Sequence, residues 1–327
     1  MEPVDPMEPE SSPLRSSPSF ILLLLIFAMF LGNLLSSLLL MGIAQLSGIS
    51  LMDALSLSVE STIDERNRVR VLQMMAHFFT FALPALVIAR YVFKGKWPQQ
   101  TALQRSPSLE QVIFGCLFIA AAFPLAQAVY EWNRNLPLPD WMTDMEDQTT
   151  DLIRNILIME RWDELLFNLL AVGVFPALGE ELVFRGLVQR QLERLFGRRS
   201  KTGNLAGRIQ LPPNWSGHLA VWSAGILFSA IHLQFEGFFA RLILGVSLGY
   251  LLLWTRNLWV PIIAHFFNNA GQVIIQFIYD PLQQESLAEA EESLPTSVVL
   301  LSLPALFIIG YALYRRRPSE PENQIDP

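Results

Sequence analysis

The run Phe175-Pro-Ala-Leu-Gly-Glu-Glu-Leu-Val-Phe-Arg-Gly places two adjacent carboxylates, Glu180 and Glu181, and a guanidinium, Arg185, inside an otherwise apolar stretch. An ionisable side chain at the centre of a membrane-crossing helix costs roughly 2.5 kcal/mol or more, so charge kept there marks a polar site. His232, and His265 with Asn269, are comparably costly positions in two later apolar runs. Residues four apart share a helix face, which groups Glu181 with Arg185, Phe228 with His232, and His265 with Asn269. Successive residues diverge by about 100°, so Glu180 and Glu181 face different ways. Glu180 is expected to face a cavity, while Glu181 and Arg185 form an ion pair along their own helix that holds it and balances charge.

A carboxylate in a low-dielectric cavity suits a general base working near neutral pH. Water held between Glu180 and His232 could attack a carbonyl, and His265 with the Asn269 amide could stabilise the tetrahedral oxyanion from one helix face. Together these make a peptide hydrolase with no covalent intermediate. A metal version uses the same side chains, because two histidines and a glutamate are a known catalytic zinc set, here His232, His265 and Glu180. Against it, the helical His-Glu-x-x-His signature is missing, Leu233 follows His232, and Glu180 would have to be both ligand and base. Zinc is the only cofactor in view.

Blander roles fit other positions. Phe228 packs to orient the imidazole of His232, Asn268 packs, and His77, beside Phe78 and Phe79, is expected to be a structural hydrogen bonder. His218 lies near the start of its span, close to water. Neither of these two histidines enters the expected site.

Glu-Glu-x-x-x-Arg (Glu180, Glu181, Arg185), Phe-x-x-x-His (Phe228, His232) and His-x-x-x-Asn (His265, Asn269) follow one another, one per apolar helix. In this set the chain resembles the CPBP family of intramembrane proteases, which includes CAAX-prenyl proteases and bacteriocin-processing enzymes. The resemblance covers roughly residues 165 to 280. It implies an eight-helix bundle with a cavity open toward the cytoplasm, a glutamate and first histidine that activate water, and a second histidine and an asparagine that steady the oxyanion. A glutamate-type or metallo-endopeptidase is the activity implied.

Elements able to hold these residues follow from composition. Of the residues, 52% are hydrophobic and only 16% charged, against about 25% in ordinary soluble domains. Eight apolar segments approach the roughly 20 helical residues needed to cross a core of about 30 Å. They lie near 19–46, 70–93, 110–130, 165–190, 218–235, 237–254, 258–279 and 295–314. They are continuously apolar rather than alternating, so the expected fold is all-α, a polytopic membrane bundle and not a barrel. Residues 1–18 and 318–327 read as tails, 19–160 as N-terminal membrane helices and loops, 161–282 as the catalytic helices, and 283–317 as a last span. The first apolar run is too long for a signal-peptide core and reads as a retained span.

Cys116 is the sole cysteine, which excludes an internal disulfide and a cysteine metal cluster. With a net charge of −7 and cations gathered at span ends, no basic groove for nucleic acid is visible. The expected partners are membrane lipid and a peptide or membrane-protein substrate. Lys94, Lys96 and Arg105, then Arg190 to Arg208, then Arg315 to Arg317 fall on one side of an eight-span chain. The positive-inside rule makes that side cytoplasmic, with both termini, in the cell (inner) membrane. Arg66, Arg68 and Arg70 break the pattern and are read as part of an interfacial helix. Two other function classes remain: a transporter with a polar midplane site, which should show repeated halves where none is visible, and a non-proteolytic membrane adaptor of the same fold.

Overall fold

The computed structural model describes residues 17–46, 48, 50, 52, 55–197, 215–279 and 294–318. Nearly all of both expected tails, most of the 203–217 loop and the 280–292 connection lie outside them. Among the described residues the regular structure is helical throughout: α1 (Pro18–Leu46), α2 (Ile63–His77), α3 (Leu83–Phe93), α4 (Leu109–Asn133), α5 (Asp140–Ile156), α6 (Trp162–Asn168), α7 (Phe175–Glu181), α8 (Arg190–Gly197), α9 (Trp215–Ala230), α10 (Phe238–Thr255), α11 (Trp259–Ile278) and α12 (Thr296–Arg315). Three π-helical turns, Phe78–Ala82, Leu169–Val174 and Leu182–Gln189, join α2 to α3, α6 to α7 and α7 to α8 without a break. Two continuous rods result, Ile63–Gln100 and Trp162–Gly197.

Six helical segments are long and apolar enough to cross a membrane: Pro18–Leu46, Ile63–Gln100, Leu109–Asn133, Trp162–Gly197, Phe238–Thr255 and Thr296–Arg315. The all-α polytopic bundle is therefore as expected, but the count of eight is not reached on these criteria. The fifth expected span, 218–235, ends earlier, because α9 stops at Ala230 after 16 residues. The seventh is a 20-residue helix, α11, whose hydropathy is lowered by His265, Asn268, Asn269 and Gln272. In both cases the shortfall lies in the segments that carry candidate site residues.

Local chemistry explains where several helices begin. Thr62 caps α2 by accepting from Glu65 N–H, while the Glu65 carboxylate accepts from Thr62 N–H at 2.7 Å. Ser108 and Gln111 form the same reciprocal box at the start of α4. Span two thus begins at Ile63, seven residues before the expected boundary, and brings Arg66 and Arg70 into the protein interior. They are not an interfacial fringe. Arg66 Nε donates to Glu164 Oε1 at 2.9 Å and Arg70 Nη1 to the same oxygen at 2.8 Å, while Arg70 Nη2 takes the Ile156 and Ile158 carbonyls at 2.7 and 2.6 Å. Paired and buried charges of this kind fix the register of one helix on another, here α2 on α6.

The two largest apolar clusters of the core meet at α11. One cluster gathers Ile21 and Leu25 of α1, Ile88 of α3, Phe184 and Leu187 of the third π turn, Phe228 of α9 and Ile262 of α11. The other joins Phe118 and Ile119 of α4 to Leu251 of α10, Ala264 of α11 and Leu313 of α12. Since α11 contributes to both clusters, its polar face is held between them. Leu23, Ile26, Phe27 and Phe30 of α1 stay exposed, as expected of a helix in contact with lipid tails.

Candidate active site

Glu180 and Glu181 are the last two residues of α7, 4% and 0% exposed, and they diverge as their helical spacing requires. Glu181 Oε1 accepts from Arg185 Nη1 at 2.6 Å, the expected pair one turn apart. The same oxygen stands 2.9 Å from His265 Nδ1. The Glu181 oxygen, which already accepts from Arg185, accepts here from the imidazole Nδ1–H. Arg185 Nη2 continues to the Gly245 carbonyl at 2.9 Å, and its guanidinium lies 4.5 Å from the centre of the Phe228 ring. One turn on, Gln189 Nε2 donates to the Gly249 carbonyl at 3.0 Å. Glycine allows this approach: a Cβ at Gly245 would meet Phe228 Cδ1 at 3.0 Å, and one at Gly249 would meet Gln189 Oε1 at 3.1 Å.

Glu180 Oε1 is met by a residue not expected in the site. His77 Nε2 lies 3.1 Å from it, with the His77 ring stacked on Phe81 at 5.3 Å. His77 is the last residue of α2, two turns beyond Arg70 on the same helix, so the Arg66–Glu164–Arg70 clamp sets the depth at which it reaches Glu180. A histidine within an apolar span is costly by the same argument that singled out His232. That signal is present in the sequence, where His77 reads as a structural hydrogen bonder; the structure shows that the group it bonds is Glu180. His218 lies apart as expected, its Nδ1 3.0 Å from Tyr250 Oη.

His232 departs from expectation in its backbone. It stands not within a span but in the turn just beyond α9. Its Nδ1 lies 2.7 Å from the Phe228 carbonyl, the position an i+4 backbone N–H would take if the helix continued, while its own N–H turns to Ser229 O at 3.4 Å. A carbonyl only accepts, so Nδ1 carries the proton and Nε2 the lone pair. Phe228 is 5.0 Å from the His232 ring and 6.1 Å from the His265 ring, between the two imidazoles. Phe228 thus brings His232, in the α9–α10 turn, near His265 of α11, whose ring meets Glu181, the neighbour of Glu180 on α7.

Asn269 is on the face of α11 that carries His265, but its amide is already engaged. Nδ2 donates to the Val172 carbonyl at 2.9 Å, and Oδ1 accepts from Asn268 Nδ2 at 3.1 Å. Val172 lies in the π turn Leu169–Val174, and Pro176, just beyond it, has no N–H to offer that turn's carbonyls. Asn268, expected only to pack, supports Asn269.

Among the described residues no group of three or more His, Cys, Asp and Glu side chains is arranged to hold a metal ion. The expected zinc set, Glu180, His232 and His265, does not form a metal-holding group as these side chains stand.

A family model described as type II CAAX prenyl endopeptidase, Rce1-like, matches residues 162–271, from the start of α6 to the middle of α11. This segment is similar to Rce1-like endopeptidases. The match supports the resemblance to the CPBP intramembrane proteases and contains all three motifs, while α1 to α5 and α12 lie outside it. A curated relative, the uncharacterized protein YpbD of Bacillus subtilis (strain 168), is 24% identical over 138 residues, 40% of this chain and 59% of the relative. The chain thus spans about three fifths of that relative's length. No solved structure matches the chain.

Proposed function

We propose that the protein is an intramembrane endopeptidase of the CAAX-protease type that hydrolyses a peptide bond with water activated by Glu180 and His232. The observation that carries this reading is a buried Glu180 carboxylate held by His77, next to Glu181, which bonds one of the two imidazoles that flank the Phe228 ring. Glu180 accepts the proton of a water that His232 Nε2 helps to orient, and the resulting hydroxide attacks the scissile carbonyl. The developing oxyanion is met by the second Asn269 Nδ2 hydrogen and by an Nε2–H of His265, whose Nδ1–H is held by Glu181. Collapse of the tetrahedral intermediate returns the Glu180 proton to the departing amine. His77 holds the Glu180 carboxylate in place, and Arg185 pairs with Glu181.

The substrate class that fits is a peptide or membrane-protein tail delivered from lipid, whether prenylated or not. Membranes from cells making the wild-type or the Glu180→Gln protein are compared by mass spectrometry for a peptide that accumulates uncut in the variant. The purified wild-type protein should then cleave that peptide, and Glu180→Gln should lower the rate by roughly 10²–10⁴-fold. Full cleavage by Glu180→Gln would falsify the reading.

A further inference from the structure

The turn that presents His232 runs from residue 231 to 237, and its backbone is strained. Leu233, next to the histidine, has φ +52°, in the left-handed region that costs a residue with a Cβ roughly 1–2 kcal/mol. Such strain beside a site residue persists only where the surroundings over-determine the geometry. Three side chains from outside the turn do so. Glu146 of α5, 6% exposed, accepts from Phe235 N–H at 2.6 Å and Glu236 N–H at 3.4 Å. Asn133, the last residue of α4, donates Nδ2 to the Phe235 carbonyl at 3.1 Å and accepts from Phe239 N–H at 3.2 Å. Arg241, in the first turn of α10, donates to the Gln234 side chain at 2.6 Å and also to the Gln234 carbonyl. Gly237 leaves room for that guanidinium, since a Cβ there would stand 2.8 Å from Arg241 Nη1. The Trp141 ring, also from α5, meets Phe235 edge-on at 5.7 Å.

Phe235 is thus held at both its N–H and its carbonyl, while the His232 ring is held at the Phe228 carbonyl. Between these two anchors lies the strained Leu233. Freeing Phe235 lets Leu233 relax toward the right-handed region, and the chain at His232 then rotates away from Phe228 O. We propose that Glu146 and Asn133, both outside the Rce1-like segment, are positioning residues that fix the direction of the His232 imidazole. This inference rests on the reading of His232 as a water-activating group. It assigns α5, whose motif content is nil, a part in the reaction.

The test uses the full chain in nanodiscs, purified without a histidine tag and labelled with ¹³C at histidine Cε1. Its 4 histidines give four ring signals, assigned by single His→Gln variants. Glu146→Leu and Asn133→Leu should each move the His232 signal and leave those of His77, His218 and His265 in place. Glu146→Gln keeps an acceptor oxygen and should restore the wild-type position. Either an unmoved His232 signal in both leucine variants or a joint shift of all four signals overturns the proposal. This measurement needs no substrate, so it stands or falls apart from the hydrolase reading. On a cleaved peptide, Glu146→Leu should lower kcat on the order of 100-fold with KM nearly unchanged, the scale expected when a catalytic group is misplaced by about 1 Å.

Discussion

Glu181 Oε1 and His265 Nδ1 meet at 2.9 Å across 84 residues of chain. The carboxylate expected only to pair with Arg185 also orients the imidazole of His265. One oxygen therefore serves two donors, and both partners depend on it.

Removing Glu181 alone leaves the Arg185 guanidinium, 1% exposed, without its counter-charge. Glu181→Leu should destabilise the detergent-solubilised protein by about 3–5 kcal/mol, the usual cost of stranding one buried charge. The double variant Glu181→Leu/Arg185→Leu should recover most of that loss. Denaturant unfolding of the two single variants and the double gives the cycle; strictly additive losses would show that the pair is not coupled.

Asn269 has a second duty that can be separated from catalysis. Asn269→Leu should cost about 1–3 kcal/mol by leaving the Val172 carbonyl without this donor. Adding Pro176→Ala returns a backbone N–H four residues beyond that carbonyl, and the double variant should be more stable than Asn269→Leu alone. Equal melting temperatures for the two would contradict this account of the bond.

His77→Phe keeps the stacking on Phe81 and deletes the contact with Glu180. Cleavage should fall by about 10²-fold, the lower end of what positioned acid–base groups contribute. His218→Phe, whose native partner is Tyr250, should leave the rate near wild type. A steady-state comparison of the two variants decides whether His77 belongs with the catalytic group.

Glu180, His232 and His265 do not stand as a metal-holding set. With water activated by Glu180 and His232 without a metal, as proposed, cleavage should survive dialysis against a strong zinc chelator. Loss of activity that added zinc restores would assign those three side chains to a metal after all.

How much of this was legible in the sequence depends on the range over which each feature acts. Helix existence, and the grouping of Glu181 with Arg185 and of His265 with Asn269, follow from local spacing, and they were read correctly. Two boundaries were misplaced for opposite reasons. The Thr62–Glu65 box starts α2 inside a charged stretch that hydropathy leaves out, whereas the His232 ring takes the Phe228 carbonyl and ends α9 inside a stretch that hydropathy would continue. Arg66 and Arg70 misled the topology argument because their partner, Glu164, lies 94 residues or more away. Glu146, Asn133 and Arg241 act on a turn through backbone groups, which carry no residue signature, so no spacing rule could have found them.

The two rungs from Arg185 to Gly245 and from Gln189 to Gly249 have a mechanical consequence. Parting the rod that carries the glutamates from α10 would leave two long polar donors facing hydrocarbon, a penalty of several kcal/mol for each group left unmatched. That seam therefore stays shut at ambient thermal energy. Helices of this bundle part more readily where they meet through apolar side chains alone.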